Sequence, residues 1–157
     1  YPGNDDDGRS LQARLDQAKL RADMLNSARW LKANELSNGK IGVTGFCWGG
    51  GATNWLATEL GADMQAAVPF YGAAAETARV PAIKAALLIQ YAESDERINS
   101  MWPAYEAALK AAGARYEAHF YPGTQHGFHN NSTPRYNEAA AKLSWERTVA
   151  HFRKHLA

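Results

Sequence analysis

The chain has 157 residues, 46% of them apolar and 21% charged, the balance of a globular protein rather than a disordered or fibrous one, and a length suited to one domain spanning residues 1–157. Its 17 Lys+Arg against 16 Asp+Glu leave a net charge of +1, too weak a field to call for nucleic acid, and no run approaches the ~20 apolar residues that cross a bilayer. The single cysteine, Cys47, excludes an intrachain disulfide, so the core must hold the fold.

In chain order, residues 1–8 open without an initiating Met and read as a surface loop entered within a longer protein, with Asp5, Asp6 and Asp7 as a solvated acidic stretch. Over 10–36 the apolar positions Leu11, Leu15, Ala18, Leu25, Ala28, Trp30 and Leu31 recur at three- and four-residue steps, predicting one amphipathic helix with Ser10 as N-cap. Ser37-Asn38-Gly39-Lys40 breaks it. Residues 41–46 are short, β-branched and apolar, as a buried strand would be, and a helix follows over about 50–60, ended by Gly61. Strands are predicted over 66–71, 85–91 and 116–121, with helices over 102–112 and 137–156. Strands alternating with helices predict an α/β fold, a parallel sheet flanked by helices. The first helix precedes all four strands, which leaves an uncovered sheet edge; further strands, or a partner such as a second copy, are expected there.

Gly45-Phe46-Cys47-Trp48-Gly49-Gly50 falls between a predicted strand and a predicted helix and fits Gly-x-nucleophile-x-Gly. In that motif a sharp turn thrusts the middle side chain above the sheet, and the glycines avoid collisions with neighbouring backbone. A helix N-terminus at Cys47 is expected to favour the thiolate, and the Trp48 amide would point at a developing oxyanion. A nucleophile so placed needs an acid and a histidine from later strand ends. Asp95 follows the strand over 85–91, with Glu93 and Glu96 as alternatives. His126 follows the strand over 116–121, with His129 as its rival. Both positions lie just past strand carboxyl ends, where open α/β sheets place their sites. His151 and His155 stand four apart on the last helix but lack further ligands nearby, so a solvated face is the simpler reading.

Together with Pro69-Phe70-Tyr71-Gly72, Glu93-Ser94-Asp95, Gly123-Thr124-Gln125-His126-Gly127-Phe128 and Trp145-Glu146-Arg147-Thr148, the elbow resembles the dienelactone hydrolase (carboxymethylenebutenolidase) family of α/β-hydrolases. The resemblance spans the chain, and cysteine in place of serine at the elbow is its specific part. It implies the carboxyl-terminal part of that fold without its first strands, a Cys47-Asp95-His126 triad, and hydrolysis of a small ester or lactone through a thioester, without metal or organic cofactor. Tyr71, Trp102 and Phe128 would be pocket walls. The chain departs from the family in having Asn130 where members acting on dienelactone carry an arginine for the substrate carboxylate; Arg97 and Arg135 are the candidate substitutes.

Two other readings stand beside it. The same residues suit an esterase, thioesterase or peptidase, since a fold does not choose its substrate. A non-catalytic fragment that associates through its open sheet edge is the other. Gly49-Gly50-Gly51 lacks both G-x-G-x-x-G and a following Lys-Ser or Lys-Thr, which argues against nucleotide binding. No compartment is assigned, with the cytoplasm slightly favoured.

Overall fold

A helix begins where a side chain can take the amides that its first turn leaves unpaired. Asn4 accepts from the N–H groups of Asp6 and Asp7 and opens α1 (Asp5–Ala13); Asp16 accepts from those of Ala18 and Lys19 and opens α2 (Gln17–Ala33). The single helix expected over 10–36 is therefore two, divided at the Asp16 cap rather than begun at Ser10. Asp5, Asp6 and Asp7, expected in a loop, form the first turn of α1, where carboxylates meet the positive end of the helix dipole. The computed structural model describes residues 3–157. These two helices belong to one compact unit that ends at Gly39, and Lys40–Ala157 form a second.

The second unit is built on four strands, β1 (Gly42–Phe46), β2 (Ala66–Phe70), β3 (Ala86–Ser94) and β4 (Tyr116–Gln125), paired in chain order and all parallel. Parallel neighbours require crossovers. They are α3 (Trp48–Leu60) after β1, a 3-10 segment Thr77–Ala82 after β2, and α4 (Glu96–Asn99) with α5 (Trp102–Ala111) after β3. α6 (Glu138–Leu156), capped by Asn137, closes the chain. The short α4 and the 3-10 segment carry too few residues for a hydrophobic period, and the sequence pattern did not reveal them.

Two glycines show how the layers lie. A Cβ on Gly42 would meet Phe152 and Leu156 of α6, whereas one on Gly45, three residues on and so on the opposite face, would meet α3. Under α6, Val68, Phe70, Leu88, Ala92, Tyr121 and Phe128 form a buried cluster with Ala140. Beside it, the wholly buried Gln90 accepts from the Tyr121 hydroxyl at 2.6 Å and donates to the Ser144 carbonyl at 3.3 Å, while Arg147 donates to the Tyr121 hydroxyl at 3.0 Å. This network pins α6 across β3 and β4, and truncating Tyr121 would leave the buried Gln90 side-chain oxygen unpaired, at a cost of about 1–3 kcal/mol. β2, between two strands, is buried throughout, while β1, expected to be a buried strand, is an outer one whose residues are half-buried or exposed.

Candidate active site

Because all four strands point the same way, the turns after β1, β3 and β4 leave from one edge of the sheet. In the first of them Cys47 has φ 56° and ψ −118°, a conformation that an L residue adopts only when its surroundings impose it. What imposes it is close backbone packing. A Cβ on Gly45 would lie 2.2 Å from the Gly49 carbonyl oxygen, one on Gly50 would lie 2.4 Å from the Phe70 carbonyl oxygen, and one on Gly72 would lie 2.2 Å from the backbone of Gly50. Gly49, which the motif argument also made obligatory, has open space where its Cβ would be. The turn therefore depends on Gly45, Gly50 and Gly72, and the last of these belongs to the segment after β2. Tyr71 beside it also has positive φ, at 36°. Cys47 N–H donates to the Phe70 carbonyl at 3.1 Å, which ties the elbow to that segment. The Trp48 amide lies in the first turn of α3, where backbone N–H groups have no intrahelical acceptor, and its indole is 62% exposed.

The Cys47 thiol is half-buried. Burial pushes it above its ordinary pKa, the Arg135 guanidinium pulls it down, the Asp95 carboxylate raises it and Arg97 lowers it. Desolvation is the largest of these, so the expected drift toward thiolate is reversed.

Asp95 and His126 come together. His126 Nδ1 and Asp95 Oδ2 are 2.6 Å apart, with the Asp95 side chain only 6% exposed and the imidazole partly so. Asp95 stands at the N-cap position of α4 but makes no side-chain cap bond, so its carboxylate is given to the histidine instead. With Nδ1–H donated to Asp95, Nε2 carries the free lone pair.

The alternatives sit elsewhere. Glu93 accepts from the Gly123 N–H at 2.8 Å, and Glu96 lies exposed in the first turn of α4. The His129 ring packs among Phe46, Phe70 and Trp145, and burial lowers its pKa. His151 and His155 are neighbours with ring centroids 4.6 Å apart, but His151 Nε2 is taken by the Ala86 carbonyl at 3.0 Å. Among the described residues no three His, Cys, Asp or Glu cluster as a metal site would require.

Of the residues expected to wall a pocket, Tyr71 lies at the site: its ring centroid is 5.1 Å from that of His126. Burial and the neighbouring Cys47 raise the Tyr71 phenol well above its ordinary range, against a backbone hydrogen bond from His129 and the charge of Arg135. Phe128 is 0% exposed and belongs to the core beneath, against Phe70, Tyr71 and Tyr121. Trp102 packs with Tyr91, Tyr105, Tyr116 and Phe120, so its ring contacts do not reach the Cys47 side. Arg97 and Arg135 are both exposed and both act on the thiol, and Arg135 brings its guanidinium to 3.8 Å from a Cβ position on Gly127, next to His126. A depression of about 490 Å³ lined by Phe46, His129, Asn131, Tyr136, Ala141, Lys142 and Trp145 opens elsewhere, and neither Cys47 nor His126 lines it.

A strained turn from a parallel strand into a helix, in a sheet of this order, puts the molecule among the α/β-hydrolases. Within them the chain belongs to the dienelactone hydrolase family, whose profile matches residues 2–156. A Salmonella typhi protein provisionally named a carboxymethylenebutenolidase is 31% identical over 90% of this chain and 56% of its own length. Protein usf of Aquifex pyrophilus is 31% identical over 99% of this chain and 71% of its own. The crystal structure of a Klebsiella pneumoniae protein provisionally named a dienelactone hydrolase superposes with a TM-score of 0.82 at 27% identity, over 99% of this chain and 69% of that one. The chain spans little more than half the length of the first of these relatives. No helix among the described residues is long and apolar enough to cross a membrane.

Proposed function

We propose that this chain carries the catalytic residues of a cysteine-dependent hydrolase acting on a small ester or lactone. The observation that carries the reading is the 2.6 Å contact between His126 and Asp95, at the sheet edge where the strained turn presents Cys47. Cys47 is the nucleophile. His126 Nε2 takes the thiol proton as sulfur attacks the acyl carbon, and the Trp48 amide donates to the oxyanion of the tetrahedral intermediate. Collapse expels the alkoxide, which takes the proton back from His126 and leaves a thioester on Cys47. Water then attacks the thioester, again giving its proton to His126, and the acid leaves as the thiol is restored. Asp95 holds the imidazole in the tautomer this needs and stabilises its charged form.

A thiol held protonated at rest suits this cycle. It is ionised when a bound substrate is there to accept the electron pair, with the imidazole beside it. Arg135 and Arg97, exposed cations that both act on the thiol, favour an acyl substrate bearing a negative charge. Neither metal nor organic cofactor enters any step.

The test is turnover of p-nitrophenyl esters and of small lactones by the wild type, Cys47→Ala and His126→Ala. Cys47→Ala should abolish turnover, and His126→Ala should lower kcat about 10²–10⁴-fold. Undiminished turnover by Cys47→Ala would overturn the reading.

A further inference from the structure

The ladder between β3 and β4 is interrupted just before the site. Ala92 pairs with Tyr121 and Ser94 pairs with Gln125, so Glu93 alone on β3 stands opposite Pro122, Gly123 and Thr124 on β4. Pro122 has no N–H, and Gly123, with φ +68°, turns its N–H out of the ladder. Such a bulge leaves donors that something must satisfy. Here the Glu93 carboxylate accepts from the Gly123 N–H at 2.8 Å, and the Glu93 N–H donates to the Thr124 hydroxyl at 3.3 Å. The Thr124 hydroxyl in turn donates to the Tyr121 carbonyl at 2.7 Å, and the Thr124 side chain is buried. Asn99 fixes the other side of the residue, donating to the Glu93 carbonyl at 3.0 Å. Pairing resumes at Ser94 and Gln125, where both strands end, and the residues that follow are Asp95 and His126.

We infer that Glu93 is a positioning residue: its carboxylate clasps the two-residue excess of β4 and thereby sets the register in which the His126 imidazole, and no neighbouring side chain, meets Asp95. The inference rests on the proposed roles of Asp95 and His126. Without the clasp the bulge keeps only the Thr124 and Asn99 bonds to the backbone of residue 93, and a shift of one residue would turn the imidazole to the other side of the strand. The clasp needs an oxygen acceptor at the end of a two-methylene side chain and does not need charge. Glutamine satisfies that requirement, whereas alanine and aspartate do not.

The experiment compares the full chain with Glu93→Ala, Glu93→Gln and Glu93→Asp. Two quantities are read: the downfield proton resonance of the His126 Nδ1–H shared with Asp95, assigned by its loss in Asp95→Asn, and kcat and KM on a p-nitrophenyl ester. The resonance in Glu93→Ala should broaden or move upfield, and kcat should fall on the order of tenfold to a hundredfold with KM little changed, as expected for a misplaced catalytic group. Glu93→Gln should restore both. If Glu93→Ala fails to fold, Glu93→Asp against Glu93→Gln poses the same question, with only the glutamine variant keeping the wild-type resonance. A wild-type resonance in Glu93→Ala, or a Glu93→Gln as impaired as the alanine variant, would overturn the inference. The resonance does not depend on Cys47 reacting, so a failure of the proposed hydrolysis would leave it readable.

Discussion

At the scale of single residues, the thiol and its neighbours decide what chemistry is open. Cys47 is half-buried beside two arginines and a carboxylate, and desolvation outweighs the cations. A raised pKa means that thiolate is the minor form at neutral pH and grows only as pH climbs past the ordinary thiol value of about 8.5. Alkylation of Cys47 by iodoacetamide, followed against pH, should therefore show a midpoint above that of a free cysteine; a midpoint below it would mean that the elbow ionises the thiol at rest. The motif pointed to Cys47 from glycine spacing, but it led to the opposite expectation for the thiol. Burial could not be read from the chain, because the cluster that Cys47 packs against draws Val68, Tyr71, Leu88, Tyr121 and Phe128 from segments far apart in sequence.

At the scale of elements, the elbow is a joint between β1, α3 and the turn after β2. Three backbones meet there too closely for side chains at Gly45, Gly50 and Gly72. Gly45→Ala should destabilise the fold by roughly 1–3 kcal/mol, the usual cost of overpacking, and depress turnover, because the strain at Cys47 would relax. Gly49→Ala, with open space at its Cβ position in the first turn of a helix, should be neutral or stabilising by up to about 1 kcal/mol. Thermal melts of the two variants separate these outcomes, and equal destabilisation would contradict the packing account. The central strands β2 and β3 were readable as apolar runs because a buried parallel strand is apolar on both faces. The division between α1 and α2 was not, since Leu11, Leu15 and Ala18 keep a helical period across the Asp16 cap. Neither was the extension of β4 to Gln125, because Pro122 and Gly123 resemble the end of a strand until Glu93 is seen to satisfy the bulge.

At the scale of the whole molecule, a parallel sheet in chain order brings together side chains far apart along the polypeptide, and this is the step from fold to chemistry. That Asp95 and His126 meet was legible because each follows a predicted strand end on the same edge of a parallel sheet. The pocket was not, since side-chain packing across elements puts Phe128 in the core and turns the half-buried Trp102 toward Tyr91, Tyr105, Tyr116 and Phe120. In the proposed hydrolysis, acyl transfer passes through the sulfur of Cys47. It is tested most directly by mixing the protein with a p-nitrophenyl ester, quenching in acid within the first turnover, and locating the acyl group by mass spectrometry of the digested chain. One acyl group on the peptide that holds Cys47, formed as fast as p-nitrophenol is released and absent in Cys47→Ala, is the expected result. Acylation of any other residue at that rate, or steady release of p-nitrophenol by Cys47→Ala, would contradict it.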